Sequence, residues 1–481
     1  MTAIRTLAAG AAIYALTACA AVGPNYQLPD GAAVKAQTAQ GSFLGAATPA
    51  VVQTRVPDDW WRLYNDPILN ELVETALKAN TDVRIATANL ARARAGVIEV
   101  RSAAGVNGGA SGAIERAELS SEQYLVPARI PVSTLGDIGS SISYDLDLFG
   151  RLRRATEAAN ADAEATEAAV DLARVNVAAQ VVAAYLEACS GGDELAVAQH
   201  TVNLQETNLT VTERLSAVGR GSILDVTRAR SLLAQARSAA PTFAAHRRAG
   251  LYRLAALTGK PPAEFPKAVE ECAELPRLRR PIPVGDGAAL LARRPDVREA
   301  ERALASATAR IGVAVAALYP SIGIGASAGS TGELSDLGDA ATNRWSLGSL
   351  ISWSFPTSGS RARVRGASAA ADAALARFDG VVLNALRETE TNLSTYSHDL
   401  DRNAELRTAR EEALTAHSQA QRLYRAGRRP FLEALDAERT LAQAESALAT
   451  SNAQLAGDQV ALFLSLGGGW SQAPPASSPG A

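Results

Sequence analysis

Apolar positions follow two different patterns along the chain. From residue 60 to residue 103 they recur every three or four positions, which predicts helices. In 136–148 and 344–355 apolar and polar residues alternate strictly, which is typical of strands with one apolar and one polar face. The apolar face of the first such strand consists of Ile138, Ile142, Tyr144, Leu146 and Leu148. The chain is therefore predicted to be mainly helical, with a few amphipathic strands.

Four strands and two very long helical hairpins are expected. The strands are predicted near 106–116, 136–148, 321–330 and 344–355. The hairpins are predicted to follow the second and fourth strands, at 151–257 with a turn at 219–221, and at 361–466 with a turn at 427–430. At about 1.5 Å per residue, the longer arm of each hairpin reaches on the order of 100 Å, which few globular domains need.

The two hairpins belong to an internal duplication. Arg214-Leu215, Gly219-Arg220 and Leu224 return 208 positions later as Arg422-Leu423, Gly427-Arg428 and Leu432. Repetition across separated segments indicates a duplicated structural unit, and such a unit with little catalytic chemistry indicates a scaffold or tube. The predicted divisions are a signal peptide (1–18), an extended tether (19–59), a first repeat (60–260), a connector (261–285), a second repeat (286–470) and a disordered tail (471–481).

The N-terminus carries an export signal. Arg5 precedes a short apolar stretch at 7–16, too short to span a bilayer, and Leu16-Thr17-Ala18-Cys19 resembles the bacterial lipobox. Cleavage before Cys19 and acylation of that cysteine are expected. Ala20 follows, and an Asp there would indicate retention in the inner membrane, so sorting to the outer membrane is favoured.

Composition excludes several classes of function. The formal net charge of -3 provides no basic field for nucleic acid. We expect neither a metal site nor a cofactor apart from lipid on Cys19, and we expect no enzyme activity. Gly325 to Gly329 matches the G-x-S-x-G elbow of hydrolases, but it lies in a predicted strand with no helix directly after it. The sequence leaves open whether Cys189 and Cys272 pair.

The predicted strands require more than one copy of the chain if they cross a membrane. Pro320 interrupts the apolar stretch at 311–329, which favours a helix followed by a strand over a spanning helix. Four strands cannot close a barrel, and open sheet edges are not tolerated in lipid. A symmetric ring of subunits solves this problem.

The ordered set of motifs resembles the TolC-like outer-membrane factors of bacterial tripartite efflux systems, specifically the NodT-type lipoproteins. The matching stretches are Val22-Gly23-Pro24-Asn25-Tyr26, Trp60-Trp61, Tyr144 to Arg151, Arg293-Arg294-Pro295-Asp296, Ala317-Leu318-Tyr319-Pro320, the two hairpin turns and Leu466 to Trp470. The resemblance implies a homotrimer with a twelve-stranded outer-membrane barrel and a helical tunnel across the periplasm. The implied partners are a periplasmic membrane-fusion adaptor, an inner-membrane pump of the resistance-nodulation-division (RND) class and outer-membrane lipid.

The same resemblance implies a gate beyond the second turn. Leu432 and Asp436 match the family's two inward-facing rings and lie on one helical face. The first copy has Leu224 but Arg228 at the corresponding positions, so the acidic ring is expected from the second copy alone. The surface that an adaptor grips is expected at the turns, Gly219-Arg220-Gly221 and Gly427-Arg428-Arg429.

Two other functions compete with efflux. The channel could serve type I protein secretion, or the chain could be a structural periplasmic coiled-coil lipoprotein. The second alternative explains the helices and Cys19 but not the paired amphipathic strands. No residue selects a substrate; small toxic molecules are expected, because specificity in such systems resides mainly in the pump.

Overall fold

A computed structural model describes residues 21–122, 125, 127–272, 274–278 and 280–468. The predicted signal peptide, Cys19, Trp470 and the C-terminal tail lie outside the described residues. The chain divides into two compact units. We call Met1–Asp30, Asn89–Glu167 and Glu299–Phe378 the strand unit, and Gly31–Ala88, Ala168–Arg298 and Asp379–Ala481 the hairpin unit.

Helices dominate the described residues. In chain order they are α1 (Gln37–Gln40), α2 (Pro67–Ala79), α3 (Thr81–Ala103), α4 (Arg151–Ala217), α5 (Ile223–Leu257), α6 (Lys267–Glu270), α7 (Gly287–Arg293), α8 (Pro295–Ala316), α9 (Ser358–Arg425) and α10 (Phe431–Ser465). The outgoing helices α4 and α9 have 67 and 68 residues, and the returning helices α5 and α10 have 35 each. The duplication seen in the sequence is therefore also present in the lengths of the helices.

The strands of the described residues form two sheets. They are β1 (Val51–Val52), β2 (Asn107–Ala117), β3 (Ser133–Asp145), β4 (Ile282–Pro283), β5 (Ser321–Glu333) and β6 (Asn343–Ser352). The larger sheet is antiparallel, has the order β2-β3-β5-β6 and takes two strands from each repeat. Its outer strands, β2 and β6, each have one edge that no described strand of this chain covers.

The strand that was expected to end at Leu148 ends three residues earlier, at Asp145. Asp147 has φ +46° and Gly150 has φ +73°, so the backbone turns here although the apolar alternation continues. The Asp147 carboxylate accepts the amide N–H groups of Leu152 and Arg153 and so caps the start of α4. Similarly, β6 ends at Ser352 and not near Phe355. Local capping therefore overrides the period-two pattern.

Most of the large apolar side chains of the large sheet lie on one face. Residues paired across neighbouring strands share a face, and the register pairs Tyr144 with Ile324, Ile142 with Ala326, and Ala326 with Leu347. The exposed large side chains of the apolar face are Ile114, Ile138, Ile142, Tyr144, Ile324, Trp345, Leu347 and Ile351. Nothing within the described chain covers this face.

The opposite face of the sheet is polar and internally bonded. Arg344 forms an ion pair with Asp137, with Nη2 2.8 Å from Oδ2, and its Nε donates to Thr331 Oγ1 at 2.7 Å. Ser327 and Ser346 join their hydroxyl groups at 2.8 Å across β5 and β6. In each of these contacts the two side chains come from different strands. The contacts therefore stabilise the observed register of the sheet.

The segment expected to be an extended tether is packed in both units. In the hairpin unit, β1 pairs in parallel with β4 of the connector, and Val51 and Val56 are buried. A loose segment would keep its conformational entropy. The burial of these apolar side chains offsets the entropy that is lost when the segment packs. The interpretation of 19–59 as a loose tether is therefore wrong for the described part of that range.

The core of the hairpin unit joins the segment around Trp60 to the end of α10. The indole of Trp60 stacks on the ring of Phe463, with centroids 4.5 Å apart, and both side chains are fully buried. Cys189 in α4 forms a disulfide with Cys272, across a separation of 83 residues. The question of pairing that the sequence left open is thus answered by the fold.

Helix α4 continues through Gly191-Gly192, although glycine is unfavourable inside a helix. A Cβ on Gly191 would lie 2.7 Å from the backbone nitrogen of Arg247, so this glycine permits close packing of α4 against α5. Among the described helices, only α4 contains an 18-residue window long and apolar enough to cross a membrane. Because 61% of that window is buried inside the protein, the window is typical of a core helix.

Candidate functional site

The two hairpin turns have the same backbone hydrogen bonds. Arg220 N donates to Leu215 O at 2.8 Å, and Arg428 N donates to Leu423 O at 2.9 Å. The preceding glycines, Gly219 and Gly427, donate to the carbonyl three residues back in each case. These paired bonds form a Schellman motif, which satisfies the last carbonyls of the outgoing helix.

Glycine is required in these turns by conformation. Gly219 has φ +73° and Gly427 has φ +68°, a region that disfavours other residues. A Cβ added at either position would meet no atom within 4 Å. The glycines therefore set the turn of the chain, and the space above them is open on the described molecule.

The residues expected to form the gate lie in the first two turns of α10. Leu432 is 54% exposed, and Asp436 follows one turn later on the same side of the helix. The Asp436 carboxylate accepts from Arg439 Nη2 at 2.9 Å. That arginine was not predicted, and it follows at the i+3 spacing that a search for ion pairs would have found.

The first copy places a similar leucine at its own turn. Leu224 is also 54% exposed, and Arg228 is exposed one turn further along α5. The two copies therefore present equally exposed leucines but opposite charges. This difference follows from the sequence alone.

A buried carboxylate next to the candidate gate was missed by the sequence analysis. Glu438 is only 2% exposed and accepts hydrogen bonds from Gln205 Nε2, at 3.2 Å, and from Asn208 Nδ2. Burial raises the pKa of Glu438, while the Asn208 bond and the nearby His417 act against this. The contact joins α4 to α10. Only the tertiary structure could reveal it, because the partners are more than 200 residues apart.

The segment that follows Cys19 is held by one buried arginine of the strand unit. Arg154 Nη2 donates to Gly23 O at 3.2 Å and to Asn25 Oδ1 at 2.7 Å, and its Nε donates to Val22 O at 3.2 Å. Glu157 forms an ion pair with the same guanidinium at 2.7 Å. Arg154 therefore fixes the path of the chain a few residues from the predicted site of lipidation.

The hydrolase-like pentapeptide does not have the geometry of a nucleophile elbow. Gly325 to Gly329 lies inside β5, and a 3₁₀ turn and another strand follow. Ser327 Oγ is hydrogen-bonded to Ser346 Oγ. A strained strand-to-helix turn, which exposes the serine in such enzymes, is missing at this position.

Curated proteins similar to this chain are efflux and nodulation proteins. Toluene efflux pump outer membrane protein TtgF of Pseudomonas putida is 31% identical over 470 residues, covering 95% of each chain. Nodulation protein T of Rhizobium leguminosarum bv. trifolii is 28% identical over 462 residues, covering 93% of this chain and 94% of that protein.

A solved structure has the same fold. The outer-membrane channel OprN superimposes with a TM-score of 0.86 at 35% identity, covering 93% of this chain and 99% of that chain. The pattern of the family described as "Outer membrane efflux protein" matches residues 72–260 and 288–468, which is most of the sequence. The chain therefore belongs to the outer membrane efflux protein family.

Proposed function

We propose that this chain is one subunit of a homotrimeric channel that exports small toxic molecules across the outer membrane. An inner-membrane pump of the RND class supplies the substrates, and a periplasmic adaptor joins the pump to the channel. Three large sheets close a twelve-stranded barrel, and three pairs of helical hairpins form a tunnel of twelve helices. The protein is a passive conduit. A relative named for toluene efflux supports small molecules as the cargo.

The observation that carries this proposal is the large sheet. One of its faces is apolar and exposed, the other is polar, and strands β2 and β6 each leave an edge that no described strand covers. An apolar face suits lipid, and pairing of β2 with β6 of the next copy satisfies the open edges. Three copies of four strands exceed the roughly eight strands of the smallest single-chain membrane barrels.

Two adjacent residues of β6 test the orientation of the sheet. Leu347 is 71% exposed on the apolar face, whereas Gly348 is on the polar face with open space above it. Leu347→Arg places a charge in lipid at a cost of about 2–4 kcal/mol near the bilayer centre, and Gly348→Arg does not. We expect Leu347→Arg alone to lower the amount of trimer in outer-membrane fractions, measured by native mass spectrometry. Equal amounts in both variants, or a monomer as the sole species in the unsubstituted protein, would contradict the proposal.

A gate built from Leu432 and Asp436 closes the periplasmic end of the tunnel. In a trimer these residues form an apolar ring and a carboxylate ring, and three close carboxylates attract cations. The exposure of both side chains on α10 supports this role, because neither is occupied in packing within the subunit. The exposed ion pair with Arg439 reduces the negative potential of the carboxylate ring but does not remove it.

The first repeat supplies a matched control for the gate. Leu432→Ala/Asp436→Ala is expected to raise the conductance of single channels in planar bilayers severalfold, because it removes both constricting rings. Leu224→Ala/Arg228→Ala changes equally exposed residues at the other turn. A conductance of the first variant no higher than that of the unsubstituted channel would remove these residues from the gate. A rise of the same size in both variants would assign the effect to general loosening of the turns.

The remaining proposals concern the anchor and the adaptor. Acylation of Cys19 anchors the mature chain, and each buried CH₂ of the acyl chains adds about 0.8 kcal/mol. Intact mass spectrometry of the mature protein tests this: an unmodified Cys19 rules it out. The adaptor grips Gly219-Arg220-Gly221 and Gly427-Arg428-Arg429, where the open space above Gly219 and Gly427 supports close approach.

A further inference from the structure

A cavity of about 270 Å³ lies in the strand unit where the strands give way to the long helices. We call it the rim cavity. The residues that the following argument uses from its lining are Asp145, Asp147, Arg151, Tyr319, Trp353 and Arg363. Two arginines from different repeats thus face one open cavity beside aromatic rings.

Two arginines at the start of α4 form ion pairs within the chain. Arg151 forms an ion pair with Asp145 at 3.1 Å, and Arg154 forms one with Glu157 at 2.7 Å. The second acid of the cavity, Asp147, already accepts two amide N–H groups of α4. Neither of these carboxylates forms an ion pair with Arg363 among the described residues, since Asp145 pairs with Arg151 and both oxygens of Asp147 accept amide N–H groups.

The arginines at the start of α9 have no acidic residue close to them in the sequence. Arg361, Arg363 and Arg365 follow one another in the first turns of α9, and no Asp or Glu occurs between Trp353 and Ala371. The Nη2 of Arg363 donates to the neutral hydroxyl of Ser360 at 3.0 Å. Positive charge at the start of a helix opposes the helix dipole, so an anion from outside the chain would stabilise this arrangement.

Aromatic side chains border the cavity on the side of the apolar face. Trp353 directly follows the last residue of β6, and its Nε1 donates to Leu318 O at 3.1 Å. Its ring centroid lies 4.3 Å from that of Phe355, which is 69% exposed. Tyr319 stacks on Phe149 at 4.6 Å. Such rings suit the boundary between acyl chains and head groups.

We propose that the rim cavity binds the phosphate of an anionic phospholipid from the periplasmic leaflet of the outer membrane. Arg363 donates to the phosphate, and Trp353 and Phe355 contact the glycerol and the first acyl carbons. A guanidinium donates two parallel N–H groups to a phosphate, which suits this role. The inference rests on the proposed function, because it requires the large sheet to lie in that membrane. The bound lipid fixes the height of the sheet in the bilayer.

The test uses the full-length protein in mild detergent with phosphatidylglycerol and phosphatidylcholine as probes. Native mass spectrometry is expected to show preferential retention of phosphatidylglycerol. Arg363→Gln is expected to weaken that retention about fivefold, whereas Arg365→Gln, which removes the same charge two residues away and outside the cavity lining, has a smaller effect. Arg363→Lys keeps the charge but loses the paired donors and is expected to restore retention in part.

Several outcomes overturn the inference. Equal retention of the two lipids, an equal loss in Arg363→Gln and Arg365→Gln, or displacement of the lipid by inorganic phosphate alone would each do so. Flotation with vesicles separates this inference from the proposed function. A chain that does not float refutes both, whereas a chain that floats but retains no phosphatidylglycerol refutes only the lipid site.

Discussion

The two repeats of this chain agree in their backbones and differ in their charges. Their returning helices have equal lengths and begin 208 residues apart, and both hairpins end in the same Schellman turn. Two differences in charge concern the turns and the start of the long helices. Arg228 occupies the position that corresponds to Asp436, and Arg151 and Arg154 pair with acids that have no counterpart beside Arg361 and Arg363.

This comparison separates the residues that build the hairpins from those to which we assign a function. Helix length and turn geometry must match, because both hairpins of a subunit have to pack side by side along their length. Charges at the turns and at the rim contribute little to that packing, so they are free to differ. The gate and the lipid site that we propose both lie at positions where the charges of the two repeats differ.

The largest effect is expected from the arginines at the two strand-to-helix junctions. Arg154 is buried and bonded to Val22, Gly23 and Asn25, whereas Arg361 is exposed. Arg154→Met should cost about 3 kcal/mol, because it leaves buried acceptors without a donor. Arg361→Met should cost less than about 0.5 kcal/mol. Thermal melting in detergent, with proteolysis of the segment after Cys19, measures both; equal losses would contradict a special role of Arg154.

The turn glycines test whether the two backbones are equivalent. Gly219→Ala and Gly427→Ala should each cost about 1–2 kcal/mol, because both residues have positive φ. Gly457→Ala is the control: this glycine lies inside α10 with nothing near its Cβ position, and the change should stabilise the helix by about 0.5–1 kcal/mol. The melting temperatures should fall equally for the two turn variants. A clear difference between them would show that the turns are not equivalent.

The smallest effect is expected at one position that differs inside the core. Gly250 of the first repeat, which packs against Ala184, corresponds to Asp458 of the second. Burial raises the pKa of Asp458 to about 6, and the Asp399 carboxyl beside it adds to the rise. Stability from this raised pKa is present below pH 4 and is lost as the pH rises through about 6.

Replacing Asp458 removes this titration. The melting temperature of Asp458→Asn should equal that of the unsubstituted protein at pH 4 and lie a few degrees above it at pH 8. A change of about 1 kcal/mol in stability shifts the melting temperature by about 2–4 °C. The exposed Asp401 provides a control, because Asp401→Asn should leave the pH dependence unchanged. Parallel melting curves for Asp458→Asn and the unsubstituted protein at all pH values would remove Asp458 as the cause.

Much of this architecture could be predicted from local patterns. The spacing of apolar positions distinguished helices from strands, and the repeated Gly-Arg pairs located both turns. The contrast between Arg228 and Asp436 follows from aligning the two copies at their offset of 208 residues. The ends of β3 were less predictable, because the apolar alternation continues to Leu148 while Asp147 already caps α4. The packed segment before Trp60 was missed because its composition is that of a flexible linker.

The sequence by itself determined the duplication, the types of the elements and the position of the turns, because these depend on residues close together in the chain. Only the tertiary structure decided that Arg154 holds Val22, that Glu438 is buried against Gln205 and that Cys189 pairs with Cys272. The physical reason is the same in each case. Burial and pairing depend on which distant segments pack together, and a periodic, alanine-rich sequence leaves many such packings equally compatible with its pattern.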